Sequence, residues 1–317
     1  MAKAKLFRRT AAVGAMAALV AAWTSLLQPR TRPNVSVVGG QEGRLKSVCP
    51  AAKAKSKQTN MKTNQLVIIR HGESEWNKMN LFCGWHDADL SEQGAKDAVN
   101  ISATALRESN LKFDIAYSSA LSRAKQSLSI VLKELNLCDL EVVSDWHLNE
   151  RHYGNLTGFN KRDMADKYGE EQVQLWRRKF DVLPPPITSD NPYYKSIRNN
   201  PNFKNIPEAE FPDTESLKVL MQRVIPYFDD VIFKQVLAGK RVLIVAHGTV
   251  ARALIKHIDK VSDENISTVN VPNSIPCVFE FNMESGEKVG KTTFLADENF
   301  LNEQIQKTAS IGQSNMK

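Results

Sequence analysis

Gln65-Leu66-Val67-Ile68-Ile69-Arg70-His71-Gly72-Glu73 decides the reading of this chain. Residues 65 to 69 are short, apolar and rich in β-branched side chains, the pattern of a strand buried on both faces of a parallel sheet. The run stops at Arg-His-Gly, where glycine lets the backbone turn sharply and lets an anion approach the amides that follow. A second such run, Val242-Leu243-Ile244-Val245-Ala246 within a strand expected from Arg241, stops at His247-Gly248. Ligands in open α/β sheets bind at the carboxyl ends of the strands. Both histidines are therefore expected to face one pocket.

Around these runs the pattern alternates strand with helix. Ser91, followed by Glu92, Gln93 and Gly94, opens a helix expected to reach about Ser109. A strand over Phe113 to Tyr117 precedes a helix over Ser118 to Leu135, and Glu141 to Ser144 is a short strand before the loop Leu148 to Gly158. Thr214 to Ala238 is helical in its spacing, with Pro226 bending it and Gly239 closing it. Pro276 to Phe281 is a late strand, and Leu183-Pro184-Pro185-Pro186 ends a helix that carries Arg177-Arg178. Repeated βα units predict an α/β fold, a three-layer α/β/α arrangement with a mostly parallel central sheet. That domain is expected over 61–300, with 301–317 as a flexible tail.

The formal charge of +7 suggests nucleic acid until it is divided along the chain. Residues 1–60 hold eleven Lys/Arg and one acid, Glu42, a local +10 that leaves 61–317 at −3. A basic body that binds nucleic acid is not supported. Residues 11–27 are uncharged, with Lys3, Lys5, Arg8 and Arg9 before them and Arg30 and Arg32 after. This pattern predicts a mitochondrial or other organelle-targeting segment, or a membrane anchor in contact with a bilayer through residues 1–30, followed by a disordered linker to 60. Met61 is an alternative start that removes the extension. The four cysteines show no C-x-x-C spacing, so reduced thiols in an intracellular compartment are expected.

A lone histidine at a strand end is as readily a satisfied hydrogen-bonding residue as a reactive one. Two in matching positions, one behind an arginine, favour chemistry. A metal site would want further His, Asp or Glu ligands, and the neighbouring Arg70 and Arg123 would repel a cation. Guanidinium groups instead suit a phosphoryl group, to which they make parallel charged hydrogen bonds.

Residues 65–300 resemble the cofactor-dependent phosphoglycerate mutases of the histidine phosphatase superfamily. The resemblance runs through Arg70-His71-Gly72-Glu73-Ser74-Glu75-Trp76-Asn77, Leu81-Phe82-Cys83-Gly84-Trp85, Leu121-Ser122-Arg123-Ala124 and Leu148-Asn149-Glu150-Arg151-His152-Tyr153-Gly154. It continues through Arg177-Arg178-Lys179-Phe180-Asp181-Val182, Pro184-Pro185-Pro186, Thr214-Glu215-Ser216-Leu217 and Ala246-His247-Gly248. It implies His71 as a nucleophile that becomes phosphorylated, Arg70, Arg123 and His247 around the transferring group, and Glu150 as general acid and base. It implies substrate contacts from Ser74, Asn77, Cys83, Gly84, Arg151, Tyr153, Lys161, Arg177, Arg178, Gly248 and Thr249. A mutase must hold a substrate's own carboxylate and second phosphate, and Arg177-Arg178, Lys161 and Arg151 are the cationic cluster expected to do so.

By the same resemblance, the partners are small phosphorylated three-carbon acids, the priming phosphoryl donor is 2,3-bisphosphoglycerate, no metal is needed, and the chain is a cytoplasmic homodimer or homotetramer. Bisphosphoglycerate synthase or phosphatase activity, a histidine-type phosphatase, or a tethered binding module using the same fold are the alternatives. Two departures stand out. Thr249-Val250 replaces the family's usual Asn-Ser, and Asn273-Ser274 its common Thr-Gly.

Overall fold

Alternating burial along the first strand builds both halves of the core. In β1 (Thr63–Arg70), Leu66 and Ile68 face one side of the sheet, Val67 and Ile69 the other, and all four are buried. The computed structural model describes residues 62–311, so the targeting or anchoring segment expected over 1–60 lies outside the described residues. After β1 come α1 (Glu75–Lys78), α2 (Glu92–Asp97), a π-helical stretch over Ala98–Ala103 and α3 (Thr104–Glu108). Then follow β2 (Ile115–Ser118), α4 (Ser122–Glu134) and β3 (Val142–Ser144). The long excursion after β3 carries α5 (Lys161–Tyr168), α6 (Glu170–Arg178), α7 (Tyr194–Arg198), α8 (Leu217–Tyr227), a π-helical stretch over Phe228–Ile232 and α9 (Phe233–Leu237). The chain returns through β4 (Val242–Ala246), α10 (Gly248–Asp259), β5 (Cys277–Asn282), β6 (Lys288–Phe294) and α11 (Glu298–Ser310).

The six strands form one sheet in the order β3-β2-β4-β1-β5-β6. The first four are mutually parallel, and β5 runs antiparallel to β1 and β6 to β5, so the sheet is mixed and mostly parallel, as expected. Leu66, Ile68, Ile115, Tyr117, Val242 and Ile244 pack against Leu217, Leu220 and Val224 of α8 and Val250 and Leu254 of α10. Val67, Ile69, Ala116, Leu243 and Val245 pack against Leu106 of α3 and Leu128, Val131 and Leu132 of α4. Each large apolar side chain so buried contributes about 1.5–3 kcal/mol. Helices on both faces explain why these strands read as continuous apolar runs. No helix among the described residues is long and apolar enough to cross a membrane.

Several boundaries differ from the sequence reading. The expected helix from Ser118 begins at Ser122, because Ser118 still belongs to β2 and Leu121 is extended. The helix expected from Thr214 begins at Leu217, with Ser216 accepting from the Val219 amide, and a π-helical stretch over Phe228–Ile232 follows Pro226. The helix bearing Arg177-Arg178 ends at Arg178, ahead of the prolines, because Lys179 is extended. The tail expected from 301 is helical as far as Ser310. Asp297 starts that helix by accepting from the Asn299 and Phe300 amides.

One pairing positions the site. β1 and β4 are adjacent and parallel, with Arg70 opposite Ala246, so both His-Gly turns leave the sheet side by side. The His71 amide donates to the Ala246 carbonyl at 2.9 Å.

Candidate active site

His71 and His247 meet with ring centroids 4.9 Å apart, tilted by 67°. Both are buried. His71 Nδ1 lies 2.5 Å from the Gly72 carbonyl, an acceptor, so Nδ1 carries the proton and Nε2 keeps its lone pair. Asn273 donates from its side-chain Nδ2 to the His71 carbonyl at 2.6 Å, and the Ser274 backbone amide donates to the Arg70 carbonyl at 2.8 Å. Asn273-Ser274, a departure from the family pattern, thus supports the strand end from behind. Ser274 does so at φ +63°, a left-handed conformation that glycine adopts at less cost. Gly72 also meets a packing demand. Its amide donates to Ser127 Oγ, and a Cβ there would fall 2.3 Å from the Gly94 carbonyl oxygen, so it permits close packing against α2.

Burial pushes both imidazoles well below their ordinary pKa, and the Arg123 guanidinium pushes in the same direction. Both are neutral at pH 7. His152, fully buried, is lowered to about 3, again by burial first. Unfolding frees these three imidazoles to take up protons near pH 6.5 that the native state refuses until much lower pH. Stability is therefore complete above pH 6.5 and is lost as pH falls through the window below it. Between pH 7.5 and 5.5 the loss from three such groups is about 4 kcal/mol. Urea denaturation at the two pH values checks this, and equal stabilities would contradict it.

Arg123, in the first turn of α4 and buried, donates from Nη1 to the His86 carbonyl at 3.0 Å and from Nη2 to that of Gly84 at 2.8 Å. It thereby fixes the 84–86 loop. Arg70 donates from Nη1 to the Val271 carbonyl at 2.7 Å. A Cβ at Gly248 would lie 3.2 Å from Arg70 Nε, so glycine there leaves room for the guanidinium. Glu150 is held by amides: Oε1 accepts from Arg151 at 2.7 Å and Oε2 from Thr249, in the first turn of α10, at 3.4 Å. A carboxylate at that end of a helix meets its positive dipole. Val250, the second residue of the Thr249-Val250 departure, is buried in the core.

Arg70, Glu150, Tyr153, Arg177, Arg178 and Arg252 line a cavity of about 70 Å³, with Gly248 and Thr249 in the same wall. Burial first, together with neighbouring cations, lowers the pKa of Arg177 to about 9, of Arg178 to about 10 and of Arg252 to about 9. Arg70 Nε, Arg252 Nε and His247 Nδ1 are buried with no hydrogen-bond partner among the described residues. Unsatisfied buried donors on crowded cations call for an anion. The C-terminal end of α11 reaches the same wall: Arg178 donates to the Thr308 carbonyl at 3.1 Å and Arg177 to that of Ile311, just past the helix.

Not every expected contact residue reaches this cavity. Arg151 is fully buried and gives its donors to the Trp176 carbonyl at 2.9 Å, the Arg177 carbonyl at 3.0 Å and the Tyr153 hydroxyl at 3.3 Å. Its Nη atoms clamp the carbonyl end of α6, while its Nε is buried with no partner among the described residues. Ser74 and Asn77 are joined in a capping box at the start of α1. Cys83 donates its thiol to the His86 carbonyl at 3.4 Å, and Lys161, lowered to about 7 chiefly by burial, donates to the Leu81 carbonyl at 2.5 Å. Among the described residues no group of three His, Cys, Asp or Glu side chains is placed to hold a metal ion.

Sequence reasoning missed Arg252 and the pair Glu215–Arg223. Arg252 donates to the carbonyls of Arg178 at 2.9 Å and Ile266 at 2.8 Å. Its signal was legible, since it stands one helical turn after Gly248 and Thr249. Arg223 grips Glu215 at 2.8 and 2.9 Å and donates to the carbonyls of His147 at 2.7 Å and Glu150 at 3.1 Å. The two stand eight residues apart, wider than the three- or four-residue spacing that marks a helix-surface pair.

The family model of the histidine phosphatase superfamily (branch 1) matches residues 66–199 and 190–291. The chain is 45% identical over 249 residues to a 2,3-bisphosphoglycerate-dependent phosphoglycerate mutase of Borreliella afzelii (strain PKo), covering 78% of this chain and 98% of that one. It is 44% identical over 252 residues to the protein of the same name from Treponema denticola, covering 78% and 99%. Among solved structures, phosphoglycerate mutase from Bacillus anthracis str. Sterne superposes with a TM-score of 0.53 at 20% identity, over 81% of this chain and 100% of that one. The alpha-ribazole phosphatase from Shigella flexneri gives 0.51 at 22%, over 72% and 95%. At such identities the superpositions show a shared fold, whereas the sequence matches reach further. This chain belongs to the histidine phosphatase superfamily and, within it, to the family of the 2,3-bisphosphoglycerate-dependent phosphoglycerate mutases.

Proposed function

We propose that this chain interconverts 3-phosphoglycerate and 2-phosphoglycerate by passing a phosphoryl group through His71. The observation that carries the reading is a neutral, buried His71 directly after Arg70, which lines a cavity where Arg70 Nε and Arg252 Nε have no partner among the described residues. Those orphaned donors fit an anion with two charged ends, and 2,3-bisphosphoglycerate, when bound, supplies the phosphoryl group that primes the histidine.

His71 Nε2 attacks phosphorus, forming an N–P bond as the P–O bond to the donor breaks. Glu150 gives the leaving oxygen its proton and, in the reverse step, takes one from the attacking hydroxyl. Arg70, Arg123 and the His247 N–H neutralise charge on the equatorial oxygens. Arg177 and Arg178 hold the far carboxylate or phosphate, with Tyr153, Gly248 and Thr249 in the same wall, once their donors leave the Ile311 and Thr308 carbonyls. Ser74, Asn77, Cys83, Gly84 and Lys161 complete the contacts on the side of α1, and Arg151 acts through Arg177. A homodimer or homotetramer in the cytoplasm, or delivery by residues 1–30, belongs to the same proposal. Fractionation of the full chain and of a form starting at Met61 separates those locations.

Purified protein supplied with 2,3-bisphosphoglycerate is expected to equilibrate the two monophosphates. Phosphorylation of His71 without interconversion would overturn the mutase reading. Thr249 beside Glu150 favours a subsidiary bisphosphoglycerate phosphatase activity, because it removes an amide from the wall. Thr249→Asn is expected to raise the ratio of mutase to phosphatase rate by about 2- to 10-fold, the scale of one hydrogen bond. Rates on the three substrates measure it.

A further inference from the structure

We infer that Ser119 is a positioning residue that fixes the tautomer of His247, so that this imidazole presents an N–H to the space over His71. The inference rests on the phosphoryl-transfer reading for its purpose, and on hydrogen-bond accounting for its content. Ser119 Oγ lies 2.7 Å from His247 Nε2, and both residues are fully buried. The same oxygen accepts from the Leu121 amide at 3.2 Å. A hydroxyl has one proton to give and two lone pairs. If His247 Nε2 carried the proton, Ser119 would accept from two donors and its own O–H, shut away from water, would have nowhere to go. An orphaned buried donor costs about 1–3 kcal/mol. If instead the Ser119 hydroxyl donates to Nε2, every group on that side is satisfied.

The consequence falls on the other ring nitrogen. With Nε2 accepting, a neutral imidazole must carry its proton on Nδ1, and Nδ1 is the buried atom left with no partner, on a ring 4.9 Å from that of His71. The two histidines therefore share one tautomer and present opposite ends of it. His71 buries its Nδ1–H on the Gly72 carbonyl and offers the Nε2 lone pair, while His247 buries its Nε2 lone pair on Ser119 and offers the Nδ1–H. One ring attacks and the other donates, though neither is charged. Ser119 comes from the loop between β2 and α4, four residues before Arg123, so one short segment sets both the donor and the guanidinium beside it.

The full chain labelled with ¹⁵N-histidine tests this, with the His247 signals assigned by their loss in His247→Gln. In the unsubstituted protein, long-range ¹H–¹⁵N correlation is expected to show a protonated Nδ1 and an unprotonated Nε2 for His247. Ser119→Ala is expected to give a mixture of tautomers and to lower kcat about 10- to 100-fold, less than the roughly 10²–10³ cost of deleting such a donor outright. KM is expected to change less than about threefold. Ser119→Thr, which keeps the hydroxyl, is expected to restore both tautomer and kcat. A proton on Nε2 in the unsubstituted chain, or an unchanged tautomer in Ser119→Ala, would overturn the inference. Because the spectrum reads the tautomer directly, absence of mutase activity would count against the proposed reaction and leave the spectroscopic result decisive for Ser119.

Discussion

Replacing His71 with alanine is expected to lower kcat by at least about 10⁴-fold, the order lost when a covalent nucleophile that acts as a unit with its partners is removed. The argument starts from its surroundings. Burial and two arginines keep the ring neutral, and the Gly72 carbonyl fixes its proton on Nδ1. The nucleophile is thus ready without a base to activate it. Arg70, Arg123 and Arg177 remain in the variant, so the substrate should still bind with a similar Kd. Tight binding without turnover distinguishes loss of the nucleophile from loss of the site. A variant retaining more than a few per cent of the rate would mean that the phosphoryl group takes another route.

Arg223→Leu is expected to destabilise the fold by about 3–5 kcal/mol, because it strands Glu215, a carboxylate with only 2% of its side chain exposed. The loss reaches the site as well. Arg223 donates to the His147 and Glu150 carbonyls, and Glu215 accepts from the His152 amide, so the pair fixes the backbone on both sides of Glu150. A carboxylate that drifts by about 1 Å can cost about 10²-fold in rate. Pairing the substitution with Glu215→Leu removes the stranded charge and should recover part of the stability while leaving the rate low. Urea denaturation and kcat on the single and double variants measure both effects. Equal stability of Arg223→Leu and the unsubstituted chain would contradict the assignment.

What the sequence revealed follows from which interactions are local. β1 and β4 were legible because strands buried on both faces must be continuously apolar, and Ser91 was legible as a cap because its oxygen serves an amide three residues on. The meeting of His71 and His247 was legible as two strand ends, but the register of Arg70 against Ala246 that makes it was not. β6 was missed because it is largely polar and interrupted by Gly290. The last helix was read as a tail because none of its residues is buried; what ties it down is Arg177 and Arg178, about 130 residues earlier in the chain. Arg151 shows a further limit: residue type told of a guanidinium near the site, but only the carbonyls of α6 told where its fork points. Ser119 and the Glu215–Arg223 pair have non-local partners and left no trace in spacing.

Covalent capture of the phosphoryl group tests the account most directly. The protein is incubated briefly with 2,3-bisphosphoglycerate carrying radioactive phosphate, quenched in alkali, digested and mapped, and a parallel sample is chased with unlabelled 3-phosphoglycerate. Acid-labile, alkali-stable label on the peptide that contains His71, lost on the chase and absent from His71→Ala, is the expected result. Interconversion of the monophosphates with no label at His71, or with acid-stable label elsewhere, would contradict it.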